Sequence, residues 1–234
     1  MITPKIINNL YLNGEKLQAI GRKGTLTNVF ARQGYLDSAC CVYSLMMLLI
    51  LHKKLDWNDL TDEELYPKDS FAESIRNNFL DYLIGMWRGG HELDWLSDLL
   101  NCNCFHAYDG SKVYYTERNK DTTVSRHELH KIIKAQLDKR EPLMLAYSKK
   151  KGCGHAVVVI GYSKEKGNKL RLYCLDPSGP LGYLQVWNNI IDLDYFSLDD
   201  ESFTDYNHRL EDNVLVNKIL IIKDDKPKEP EYPF

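Results

Sequence analysis

The run Val42-Tyr-Ser-Leu-Met-Met-Leu-Leu-Ile-Leu51 constrains this chain more than any other feature. Wound as a helix it shows apolar side chains on nearly every face, and such a helix is stable only when other elements surround it. It falls well short of the roughly 20 residues that a bilayer crossing needs. It is therefore expected to run through the middle of a domain, from about Ala39 to Lys53, with Ser38 placed to cap it. The chain has 234 residues, enough to bury such a core within one large domain. No Pro, Gly or Ser-rich linker divides it, so one domain is expected over residues 1–223. The end, residues 224–234, holds three prolines among alternating charges and reads as a flexible tail.

Around the central helix the pattern changes along the chain. After an irregular start come two further helices. One opens on the capping box Ser70-Phe-Ala-Glu73 and carries Phe71, Ile75, Phe79, Leu83 and Trp87 at every fourth position; the other covers His91 to Leu100. Asp109-Gly110 stands between two β-prone runs as a hairpin turn would. A second capping box, Ser125-Arg-His-Glu128, opens a helix with Leu129, Ile132, Ile133 and Leu137 on one side. Short β-branched or aromatic runs follow at Leu143–Tyr147, Ala156–Tyr162, Leu170–Leu175, Tyr183–Trp187 and Lys218–Ile222, each bounded by turn residues. Asp192–Asn213 reads as a long surface excursion. Helices to about residue 140 and antiparallel strands over about 141–223 make an α+β domain.

Thirty basic residues against 33 acidic ones leave a net charge of −3, with no surplus for gripping a phosphate backbone. Nucleic acid is thus not an expected partner, and neither is membrane insertion. Met1 to Asn9 lacks the charged start and apolar run of a secretory signal. Six cysteines, two of them adjacent, suit free thiols in a reducing compartment better than a disulfide framework, so a cytoplasmic location is expected.

Cys40 would sit in the first turn of the buried helix, where unpaired N–H groups and the positive end of the helix dipole favour thiolate over thiol. Seven positions upstream, Gln33 lies in a loop before a glycine, and its amide is suited to stabilising an oxyanion. A base is also needed. His155 and Asp176 flank two β runs joined by Ser163-Lys-Glu-Lys-Gly-Asn168. Pairing Ser163 with Asn168 in a hairpin without a bulge carries down the ladder to pair His155 with Asp176, within about 5.5 Å between Cβ atoms on one face. A carboxylate orienting an imidazole that faces a helix-end thiol is the Cys-His-Asp arrangement of nucleophilic catalysis.

These residues resemble a known family. Arg32-Gln-Gly-Tyr-Leu-Asp-Ser-Ala-Cys-Cys-Val-Tyr-Ser44 is similar to the oxyanion-glutamine and nucleophile segment of papain-like cysteine peptidases. Gly154-His-Ala-Val-Val-Val-Ile-Gly-Tyr162 and Cys174-Leu-Asp-Pro-Ser-Gly179 are similar to their histidine and acid segments, in the same order. An Asp followed by Pro resembles the bacteriocin-leader (double-glycine) peptidase group. The resemblance implies a papain-like fold, with Cys40 as nucleophile, His155 as general base and then acid, and Asp176 as its orienter. Gln33 and the Cys40 N–H would form the oxyanion hole. It implies no cofactor and a protein or peptide substrate, with room for a regulatory protein partner. Cys41 stands where the family has glycine, so the nucleophile is Cys40 or Cys41, and the spacing from Gln33 favours Cys40.

Other readings compete. A cysteine in an apolar helix is most often a small buried hydrophobe, and Asp-Pro-Ser-Gly is an everyday turn. Cys102-x-Cys104-x-His106 offers zinc-type ligands without a second pair, and alternation on a strand accounts for it, so no metal is expected. The same triad would also serve an acyltransferase or transglutaminase-like enzyme, and the same cleft a non-catalytic peptide-binding module.

Overall fold

The computed structural model describes residues 3–14, 16–34, 39–61, 93, 96, 100, 111–115, 124–149, 154–166, 169–193, 203–205 and 212–222. The apolar run is helix α1, Cys40–Leu51, with Leu45, Met47, Leu48, Leu49 and Ile50 sealed from solvent. Its N-cap position falls on Ala39, with no side-chain cap hydrogen bond. This corrects the expected capping by Ser38, which lies outside the described residues. A short helix α2, Trp57–Thr61, follows, and α3, Arg126–Asp138, begins as its capping box requires, with Ser125 Oγ accepting from Glu128 N–H at 3.2 Å.

The strands are β1 (Lys5–Ile6), β2 (Leu10–Asn13), β3 (Lys16–Ile20), β4 (Leu26–Asn28), β5 (Ser111–Tyr115), β6 (Leu143–Lys149), β7 (Gly154–Lys164), β8 (Leu170–Leu175), β9 (Asn189–Leu193), β10 (Phe203–Asp205) and β11 (Asp212–Ile222). β2, β3 and β4 form a small sheet. The main sheet is antiparallel in every pairing and runs β7-β6-β11-β10-β9-β8; because β8 also pairs with β7, the path closes on itself. β5 extends it from β11 and β1 from β7. The chain is thus an α+β protein with a mostly antiparallel sheet.

Alternation along β7 divides the core in two. Ala156, Val158 and Ile160 join the cluster around α1, whereas Val157 and Val159 join a second cluster with Leu129, Ile133 and Leu137 of α3. The apolar helix is therefore packed on one face of the sheet and α3 on the other. Gly161 admits β1 at the sheet edge, since a Cβ there would lie 2.4 Å from the Lys5 carbonyl oxygen.

Several expectations are corrected. The start is not irregular: β1 to β4 lie within the first 28 residues, so strands are not confined to the second half, while β5 falls on the β-prone run expected after Asp109-Gly110. Tyr183–Trp187 is a loop, and the strand begins at Asn189. Gly179, Pro180 and Gly182 break the segment before it, and Asn188 is bonded to backbone upstream. The expected excursion over 192–213 contains the end of β9, all of β10 and the start of β11. A three-residue strand such as β10 is held by neighbours on both sides, which no local pattern announces. Leu93, Leu96 and Leu100 are helical and buried, within the third expected helix. The Ser70 capping box and its helix, Asp109-Gly110 and Cys102-x-Cys104-x-His106 lie outside the described residues.

Candidate active site

Cys40 occupies the first helical position of α1, 8% exposed, and Ser44 lies one turn further on the same face. Ser44 Oγ donates to the Ala156 carbonyl at 3.0 Å, a buried bond that pins the head of the helix to the start of β7. The residue before Ala156 is His155. The Cys40 sulfur consequently receives hydrogen bonds from the His155 ring and the Ala156 N–H. His155 Nε2 lies 2.7 Å from Asp176 Oδ1, which leaves Nδ1 to serve the sulfur. The Tyr147 ring, opposite His155 in the β6–β7 ladder, meets the imidazole in a T-shaped contact, 5.5 Å between centroids and 78° between planes.

The register that joins His155 to Asp176 differs from the expected one. Ser163 pairs with Arg171, not Asn168, a displacement of three residues. A β-bulge between Val159 and Gly161 then absorbs one residue of β7, so that Val158 faces Leu175. The net displacement is two. Since side chains alternate with period two, His155 and Asp176 keep a common face and meet as diagonal neighbours instead of direct partners. Without the bulge the displacement would be odd and the two would point to opposite faces.

Asp176 is fully buried and its carboxylate is saturated with donors. Besides the imidazole, Oδ1 accepts from Ser178 N–H at 2.8 Å and Ser178 Oγ at 2.6 Å, and Oδ2 accepts from Asn189 Nδ2 at 3.0 Å. Asn188 clamps the backbone: its Oδ1 accepts from Asp176 N–H at 2.7 Å and its Nδ2 donates to the Asp176 carbonyl at 2.7 Å. Burial alone would push this carboxyl up, but the His155 and Ser178 bonds outweigh it and the net direction is down. Sequence reasoning missed Ser178, Asn188, Asn189 and Tyr147. Two consecutive amides before an apolar strand were the available signal for the asparagines, because a buried amide needs partners.

The thiol and the imidazole are shifted in opposite directions. Cys40 is lowered to about 4, first by a hydrogen bond from the Cys41 thiol and, against the cost of burial, by the bond and charge of His155. Burial lowers His155, but the bonds from it to Asp176 and Cys40 and the charges of both raise it to about 10. Thiolate and imidazolium therefore coexist at neutral pH. The thiol that meets the ring is that of Cys40, while Cys41 is a donor to its sulfur. Replacing Cys41 by alanine is expected to raise the midpoint of Cys40 alkylation by iodoacetamide by about one to two pH units; an unmoved midpoint would remove Cys41 from this role.

Gln33 N–H donates to the Pro177 carbonyl at 2.9 Å, holding the glutamine loop to the corner that follows Asp176. Its Oε1 is buried and makes no hydrogen bond among the described residues. Among the described residues no three His, Cys, Asp or Glu side chains are grouped to hold a metal ion, and no helix is long and apolar enough to cross a membrane. His52, without an assigned role in the sequence, is buried with Nε2 3.0 Å from the Pro142 carbonyl oxygen, a structural contact.

Compared with known families, the chain matches the model of the Peptidase_C39 like family over residues 27–192, a span containing Gln33, Cys40, His155 and Asp176. No curated protein matches the chain.

Proposed function

The chain belongs to the Peptidase_C39 like family, and from that premise we propose that it is a papain-like cysteine peptidase hydrolysing peptide or isopeptide bonds with Cys40, His155, Asp176 and Gln33. The observation that carries this reading is the position of His155, bonded on one side to Cys40 and through Nε2 to Asp176. The Cys40 thiolate attacks the scissile carbonyl carbon. The oxygen gains negative charge and takes hydrogen bonds from the Gln33 amide and the Cys40 N–H, a donor of that kind contributing roughly 10²–10³ in rate. As the C–N bond breaks, His155 transfers its proton to the leaving amine, and a thioester remains. Water adds to the thioester while His155 takes its proton, and the thiolate departs with the acid product released. Asp176 stays ionised throughout, orienting the ring and balancing the imidazolium charge.

In this reading α1 presents the nucleophile across a cleft from the sheet that carries His155 and Asp176, the papain-like arrangement, within one domain over residues 1–223. The substrate is a protein or peptide, and no cofactor takes part. Proteome-wide mapping of new N-termini after incubation with the wild type or with Cys40→Ala tests it. Termini that appear only with the wild type are expected. None from either protein would exclude peptidase activity and leave amide-forming acyl transfer, detected by adding amine acceptors.

A further inference from the structure

We propose that Ser44 is a positioning residue of this site: by donating to the Ala156 carbonyl it fixes where α1 stands along β7, and with that the separation of the Cys40 sulfur from the His155 ring. The inference deepens the peptidase reading and rests on it for the reaction that the positioning serves. Cys40 and Ser44 are four residues apart on α1, so their side chains stand on one face of the helix, a turn apart. Both meet the same residue of the strand. Ser44 Oγ donates to the Ala156 carbonyl at 3.0 Å, and the Ala156 N–H donates to the Cys40 sulfur. His155 is the residue before Ala156. One helical turn, the hydroxyl bond, one strand residue and the bond to sulfur thus close a small circuit beside the imidazole.

The hydroxyl had a nearer acceptor. A serine inside a helix commonly bonds the carbonyl four residues back, here that of Cys40. A hydroxyl has one proton to donate, and Ser44 directs it across 112 positions of sequence to the strand. Ser44 and Ala156 are both sealed from solvent, so water does not compete for the bond. Apolar packing alone would not give the same precision. Leu45, Leu48 and Leu49 share one cluster with Ala156, Val158 and Ile160, and contact of that kind has no preferred direction. It holds α1 on the sheet without fixing its height. A hydrogen bond weakens steeply away from its best length and angle, and at this place the requirement is strict, because a misplacement of about 1 Å can cost roughly 10²-fold in rate.

The test follows alkylation by iodoacetamide against pH, localised to Cys40 by fragmentation mass spectrometry, in Ser44→Ala, in the pair Ser44→Thr and Ser44→Val, and in Ile50→Val. Circular dichroism confirms that each protein is folded. Alanine is the better helix former, so α1 is retained, while threonine and valine share a shape with and without the hydroxyl. Ile50→Val loosens the same buried cluster ten residues along α1, about 15 Å from Cys40. Ser44→Ala and Ser44→Val are expected to raise the alkylation midpoint by about one pH unit, Ser44→Thr to restore it and Ile50→Val to leave it in place. An unmoved midpoint in folded Ser44→Ala, an equal movement in Ile50→Val, or threonine no better than valine overturns the proposal; the last comparison decides alone if Ser44→Ala does not fold. On a peptide that the wild type cleaves, Ser44→Ala is expected to lower kcat about tenfold at unchanged KM, and a raised KM with kcat kept overturns it too. A wild type that cleaves no peptide of a proteome-derived library overturns the peptidase reading, while the alkylation midpoints still decide whether Ser44 places the thiol.

Discussion

Cys40 is expected to be alkylated by iodoacetamide at a nearly constant rate from about pH 5 to pH 9, and His155→Ala to abolish that plateau. Alkylation follows the thiolate fraction, and the thiol is lowered to about 4 in the folded protein. Removing the imidazole removes both a hydrogen bond and a positive charge from the sulfur while the buried site remains, so the midpoint rises towards the ordinary thiol range. Peptide hydrolysis is expected to fall by roughly 10³ or more in the same variant, because base and acid are lost together. In the wild type, hydrolysis needs Cys40 deprotonated and His155 protonated. It therefore declines as pH falls through about 4, where the thiolate is lost, and as pH rises through about 10, where the imidazolium is lost. Circular dichroism across the range separates titration of the site from unfolding. A His155→Ala protein whose alkylation midpoint stays near that of the wild type would sink the ion pair.

Asp176→Ala is expected to cost activity and stability together. The carboxylate is fully buried and accepts from His155, from two atoms of Ser178 and from Asn189. Its removal takes the acceptor from the buried Asn189 amide and two bonds from the half-buried Ser178, a loss on the order of 3 kcal/mol. The imidazole also loses the partner that fixes its orientation, and a fall in kcat/KM of roughly 10³–10⁴ is expected beyond the loss of folded protein. Urea unfolding measures the first effect, and kcat/KM corrected for the folded fraction measures the second. Asn189→Ala separates them: it removes one donor from the far oxygen, so a smaller stability loss is expected, with most of the activity kept. Full corrected activity in Asp176→Ala would exclude the acid from catalysis.

Much of the architecture was legible in residue patterns. The helix over Cys40–Leu51 is announced by its composition, because no surface face can be drawn on it. The helix after Ser125 is announced by its capping box, and β8 by a β-prone run between turn residues. The cysteine at the helix head and the Gly-His and Asp-Pro segments were readable too, since each carries its chemistry in consecutive residues. What escaped depends on partners far away in sequence. Asn188 and Asn189 are unremarkable amides until the strand after them is laid beside β8, which sets both against Asp176. Ser44 is one more polar residue in an apolar run until the Ala156 carbonyl is found above it. The strands at Leu10–Asn13 and Phe203–Asp205 are too short to show a period of their own.

Residue patterns alone thus settle which segments turn inward and which chemical groups stand near the head of the central helix. That the imidazole and the carboxylate meet follows from how distant strands pair. The hairpin between β7 and β8 closes three residues away from its simplest register, and one bulge returns the mismatch to an even number. Turn residues allow several such registers at similar local cost. The choice among them is made by the closed sheet, where every strand must satisfy hydrogen bonds on both sides and bury its apolar face at once.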